Sequence, residues 1–115
     1  MPNIIFEGTE IRRIMGKDGK MYFSIVDTVA RLLNKDRRDA TFYWRDHKKR
    51  LEKKDFQLWE KISQLKMIAL DGKQRLTDAC DLETMFRIIE SIPSSKAEPI
   101  KKWLAQAGKK GGKNE

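Results

Sequence analysis

One cysteine and one histidine in 115 residues leave little room for several kinds of chemistry. With Cys80 alone an internal disulfide is impossible, and with His47 as the sole imidazole a structural zinc site lacks its ligand set. The apolar neighbours of Cys80 predict a buried, reduced thiol. Long apolar runs are missing too. None approaches the roughly 18–20 residues that span a bilayer, and the IIF after the N-terminus is broken at once by Glu7, so no secretory signal region follows Met1. These absences predict a soluble, cytoplasmic protein with no membrane partner. Nucleotide-cradling and metalloprotease patterns (GxxxxGK[ST], a glycine-rich loop after a strand, HExxH) do not occur either. The expectation is a protein that is not an enzyme and uses no cofactor.

What the chain has in quantity is positive charge. Twenty-five Lys and Arg face 17 Asp and Glu, a formal +8, and the sequence pI is near 9.7. Such a balance favours polyanionic partners, because neutralised phosphates release condensed counterions. A chain of this length is one domain, and its 39% hydrophobic residues suffice for a core.

Periodicity predicts an α+β protein: two small antiparallel hairpins, open to joining in one sheet, packed with four or five helices. Ile4, Phe6, Ile11 and Ile14 lie in short β-prone runs, and GKDGK at 16–20 turns the chain into the strand MYFSI. Ser24 with Asp27 fits a capping box for a helix carrying Val26, Val29, Ala30 and Leu33, ending at Leu33 or Asn34. A second helix covers about residues 38–53, and Phe56 to Leu65 suggest a short third helix or an ordered excursion. LKMIAL, Asp71-Gly72 and KQRLT read as a hairpin closed by a two-residue type I′ turn. Thr77 or Asp81 caps a helix whose Leu82, Met85, Phe86, Ile88 and Ile89 make too broad a stripe for a surface element, and Pro93 stops it near Ser91. A last helix starts among 94–98, with Ser95 and Glu98 as a second capping-box pair and Pro99 tolerable only near that start. Ala97, Ile100, Trp103, Leu104 and Ala107 form its inward face. Gly108 is the expected stop, giving a domain over 1–108 and a disordered basic tail over 109–115. No internal repeat is evident.

The second helix raises the functional question. At about 100° per residue, Ala40, Tyr43, Trp44, His47 and Leu51 cluster within about 100° of arc and form its core stripe. His47 is thereby expected to be a core imidazole. Phe42 points about 160° away from Trp44, and Arg38, Arg45, Lys49 and Lys53 lie within about 60° of it. Residues 35–54 hold nine Lys and Arg against four Asp and Glu. The candidate DNA-contacting set is therefore Arg37, Arg38, Phe42, Arg45, Lys48, Lys49 and Lys53, joined by Lys73 and Arg75 on the Asp-Gly hairpin, which has the form of a wing beside a duplex. The bland alternative is a solvated stripe with Phe42 packed under another element. Lys96, Lys101 and Lys102 are read as solvated, and Lys109, Lys110 and Lys113 as nonspecific attraction. Asp78, Asp81 and Glu83 offer carboxylates for Mg²⁺, but helix capping and the helix dipole explain them more simply, so no metal site is expected.

The blocks FEGTEIRRI, GKMYFSIVDTVARLL, YWRDHKKRL and LKMIALDGKQRLTDACDLETMFRIIESIPSSKAEPIKKWLAQAG, in that order, resemble the Bro-N domain of phage antirepressor-type proteins. They are similar in particular to a bacterial and prophage group related in part to DNA-damage-inducible protein D. The likeness runs from about residue 4 to Gly108, and DGKQRLTDA and IIESIPSSKAEPIKKWLA are its most specific pieces. It implies a small α+β DNA-binding module in prophage regulation, with double-stranded DNA as partner and antirepression, through contact with a repressor protein, as a further role. It carries over no catalytic motif. Family members commonly continue past the WLAxxG block into a further helical region, so the GKKGGKNE ending is expected to mark either a short member or a domain of a longer chain. Two other readings remain: a protein-interaction module anchored by Phe42 that never touches DNA, and a Mg²⁺-dependent nuclease using Asp78 and Asp81.

Overall fold

Short strands separated by glycine-containing turns open the chain, and helices follow wherever the apolar period lengthens. In the computed structural model, which describes residues 3–6 and 8–112, the order is β1 (Ile4–Phe6), β2 (Thr9–Ile11), β3 (Arg13–Met15), β4 (Met21–Ser24), α1 (Ile25–Leu32), α2 (Arg37–Lys54), α3 (Phe56–Trp59), β5 (Ser63–Ile68), β6 (Gln74–Cys80), α4 (Leu82–Glu90) and α5 (Ala97–Gly112). The protein is α+β, as predicted. Among the described residues there are three hairpins rather than two. β1 and β2 pair alone, while β3-β4-β6-β5 form one antiparallel sheet through the Phe23–Cys80 and Ser24–Ala79 register. No described helix is long and apolar enough to cross a membrane.

Helix ends follow from local chemistry. Ser24 caps α1 by accepting the Asp27 N–H, the predicted half of a capping box. The other half is absent, because the Asp27 carboxylate is taken by Arg12. α1 ends in a Schellman motif. Asn34 adopts φ 55°, Lys35 N–H donates to Ala30 C=O at 2.8 Å and Asn34 N–H to Arg31 C=O at 3.3 Å. Asp36 then caps α2 through the Asp39 N–H, so only positions 33–36 separate the two helices. Asp81, not Thr77, caps α4, and that helix ends before Pro93. At α5 the expected Ser95–Glu98 box does not form. Ser94 Oγ accepts the Lys96 N–H and Glu98 pairs with Lys101. The helix continues past Gly108 to Gly112, and the tail positions 113–115 lie outside the described residues.

The β5–β6 turn also departs from expectation. A type I′ turn needs positive φ at both central residues, but Gly72 alone in this loop has it, at 82°. Ala69 N–H donates to Lys73 C=O at 2.8 Å and Gly72 N–H to Ala69 C=O at 3.0 Å, so the loop has three residues, a tight turn followed by a left-handed glycine. Asp71 favours this form by accepting the Lys73 N–H across two residues. The β3–β4 hairpin repeats the device. Gly16 N–H donates to Lys20 C=O, Gly19 N–H donates to Gly16 C=O, Gly19 has φ 84° and Asp18 accepts the Lys20 N–H. KDGK and LDGK are thus one loop used twice, a local recurrence that a search for longer repeats overlooks.

The core joins both halves of the chain. Ile11, Phe23, Ile25, Val29 and Leu32 meet Ala40, Trp44 and Leu51 of α2, then Met85, Ile88 and Ile89 of α4 and Ile100 and Leu104 of α5. The α4 stripe is central, as its breadth predicts. Burying side chains of this size contributes about 1.5–3 kcal/mol each before conformational entropy is subtracted.

Candidate nucleic-acid interface

α2 is held by its inner face and by one acidic residue of the sheet. Ala40, Trp44, His47 and Leu51 are buried, and Tyr43 is half-buried against the same core. Trp44 Nε1 donates to Asp78 Oδ2 at 2.8 Å, Lys48 Nζ pairs with the same oxygen at 2.9 Å and Gln64 Nε2 reaches Oδ1 at 3.2 Å. Asp78 therefore ties α2 to β6 and β5, which sets the helix's rotation.

His47 is the core imidazole expected. Its Nε2 lies 2.8 Å from Ser91 Oγ, while that hydroxyl donates its proton to Ile88 C=O. Ser91 can then only accept, so Nε2 carries the hydrogen. Burial, with Arg50 and Lys54 nearby, lowers the His47 pKa from its ordinary value. Tyr43 stacks on the ring at a centroid distance of 5.9 Å. Cys80 is buried, and desolvation with the charges of Asp81 and Asp78 raises its thiol pKa well above normal, as befits an inert thiol.

With the inner face fixed, the outer face of α2 is exposed. Phe42 is 50% exposed, so it is not packed under another element. The Arg45 guanidinium sits over its ring, 5.4 Å from the centroid. Arg38, Arg45, Lys49 and Lys53 are exposed around it, and among the described residues no ion pair engages them.

The other candidate cations sit differently. Lys48 is committed to Asp78, and Arg37 reaches Asp27 Oδ1 at 3.2 Å. Arg75 is paired with Asp71 beside the turn, and Lys73 is exposed in the same loop. The nine residues thus fall into an open α2 stripe, two cations that also fasten the fold, and a hairpin pair.

Two features escaped the sequence reading. Arg12 is buried and grips Asp27 through Nε at 2.8 Å and Nη2 at 3.0 Å; it also donates to Ile68 C=O and Ser24 Oγ. Arg12 followed by Arg13 in a polar run carries no periodic signal of burial. Secondly, the distal β5–β6 hairpin exposes Ile68, Leu70 and Leu76, with Leu70 at 77% and Leu76 at 63%. Alternation of apolar residues along LKMIAL was the available signal, but it does not say which face lacks a partner. This hairpin and the first turn of α2 border an open cleft of about 470 Å³ lined by Arg12, Arg37, Arg38, Thr41, Leu76 and Arg75, among others.

Among the described residues no cluster of three or more His, Cys, Asp or Glu side chains is arranged for a metal ion. Asp81 is occupied as the α4 cap and lies 3.5 Å from Lys20, while Asp78 serves α2. Comparison with family models, with curated proteins and with solved structures gives no match to this chain.

Proposed function

We propose that this chain is a non-enzymatic DNA-binding regulatory domain of the phage and prophage antirepressor type, which sets the outer face of α2 against duplex DNA. The observation that carries the reading is Phe42, a half-exposed ring beneath Arg45 and among Arg38, Lys49 and Lys53. A large apolar side chain held in that setting offers a surface for a base or sugar, while the surrounding cations reach phosphates. The four-residue connection from α1 to α2 supports it, being of the length that joins the two helices of units whose second helix enters the major groove. The net charge of +8 supplies long-range attraction.

The exposed Ile68, Leu70 and Leu76 favour a second reading, a module that binds a repressor or another protein. Phe42→Ala separates the two. On the DNA reading duplex affinity falls on the order of tenfold, in keeping with about 1–3 kcal/mol per stacked base, while urea stability changes by less than about 0.5 kcal/mol. Unchanged duplex affinity in a folded variant contradicts the role given to Phe42.

A further inference from the structure

The cleft between α2 and the β5–β6 hairpin holds a charge imbalance that the fold itself does not resolve. At its floor Arg12 and Arg37 share one carboxylate, Asp27, which is only 1% exposed. Two guanidiniums against one carboxylate leave the triad at +1. Arg38 adds a second positive charge on the helix side with no ion pair among the described residues, and Arg75 on the hairpin side is balanced by Asp71. The lining together with the Asp27 carboxylate behind it therefore carries a net +2 around an opening of about 470 Å³, with Thr41 on the wall and Val26, Leu70 and Leu76 as apolar surface. Arginines of two elements that line one opening are suited to a tetrahedral oxyanion, because planar N–H forks bind phosphate oxygens in pairs. The half-desolvated position of Arg37 strengthens such a contact relative to one on an open surface.

We propose that this cleft is a phosphate seat, with Arg37 and Arg38 of α2 and Arg75 of β6 closing on one phosphate group and Leu70 and Leu76 lying against the sugar or base attached to it. The inference rests on the nucleic-acid reading where the phosphate belongs to a DNA backbone. There it fixes the register of α2 on the duplex and makes the hairpin a clamp on one strand. A free nucleotide presents the same phosphate chemistry, so the test must tell the two sources apart.

The test follows the arginine side-chain N–H signals of the full chain by NMR during separate titrations with a duplex oligonucleotide and with adenosine 5′-monophosphate. Shifts at Arg37, Arg38 and Arg75 with the duplex assign the seat to a backbone phosphate. The same shifts with the mononucleotide alone assign it to a free nucleotide. Silence of all three in both titrations overturns the seat. Silence of these three with the duplex, while Arg45 still responds, overturns the seat yet leaves the α2 interface standing, provided that the mononucleotide also leaves them silent. Arg75→Gln is expected to weaken the responding ligand by about tenfold or more, the scale of one charge-assisted hydrogen bond, and Lys61→Gln, exposed and outside both the cleft and the α2 face, to leave that affinity unchanged. Equal losses in the two variants contradict a localised seat.

Discussion

Asp27 shows how one buried side chain can tie three elements together. Its carboxylate accepts from the Arg12 backbone and guanidinium and pairs with Arg37, so it joins the β2–β3 connection, α1 and the start of α2. A buried group with two cationic partners is costly to lose, because the partners are left without compensation. Asp27→Asn should therefore destabilise the protein by about 3–5 kcal/mol in urea unfolding, and a loss below about 1 kcal/mol contradicts the buried triad. His47 makes a second prediction at this scale. Its folded pKa lies below the ordinary 6.5, so on acidification the unfolded chain takes up this proton first. The contribution of neutral His47 is complete above pH 6.5 and is lost as pH falls from 6.5 towards the lowered folded pKa. Unfolding at pH 7.5 and at about pH 5.5 should show this loss in the parent and a smaller one in His47→Gln, whose amide N–H can still reach Ser91. Equal slopes in the two proteins contradict the assignment.

The elements show which local rules can be read in advance and which cannot. Helices α1, α2 and α4 are legible because their apolar residues recur at helical spacing and Ser24, Asp36 and Asp81 stand at their starts with free oxygens to accept an N–H. Whether Asp27 completes a capping box is not legible, since the competitor, Arg12, lies 15 positions away. The Asp-Gly turn is legible as a turn, but its type depends on whether Asp71 takes positive φ, and its bonds to Lys73 and Arg75 hold it in another arrangement. Wheel geometry places Phe42 opposite the core, but its exposure depends on what the other elements cover. The cleft is the least legible feature, because it needs Arg37, Arg38 and Arg75 from two elements whose packing no local pattern encodes. One prediction belongs here. Gly72→Ala should lower stability by about 1–2 kcal/mol through the left-handed backbone it forces on a Cβ, although nothing lies within 4 Å of that Cβ. Gly72→Asn should recover part of the loss, and an alanine variant of unchanged Tm contradicts the loop geometry.

At the scale of the whole molecule, a core built from both halves of the chain fixes α2 by one face and through Asp78, leaving its basic face outward beside the hairpin. The central claim is that this face meets the phosphates of a duplex. The most direct measurement is duplex affinity of the full chain from about 50 to about 200 mM salt, for the parent and for Arg38→Gln/Arg45→Gln/Lys49→Gln. The account predicts that log K falls linearly with log salt and that the variant's slope is shallower by roughly 0.9 for each phosphate contact removed. No binding by the parent at about 50 mM salt, or a variant with the parent's affinity and slope, would contradict it.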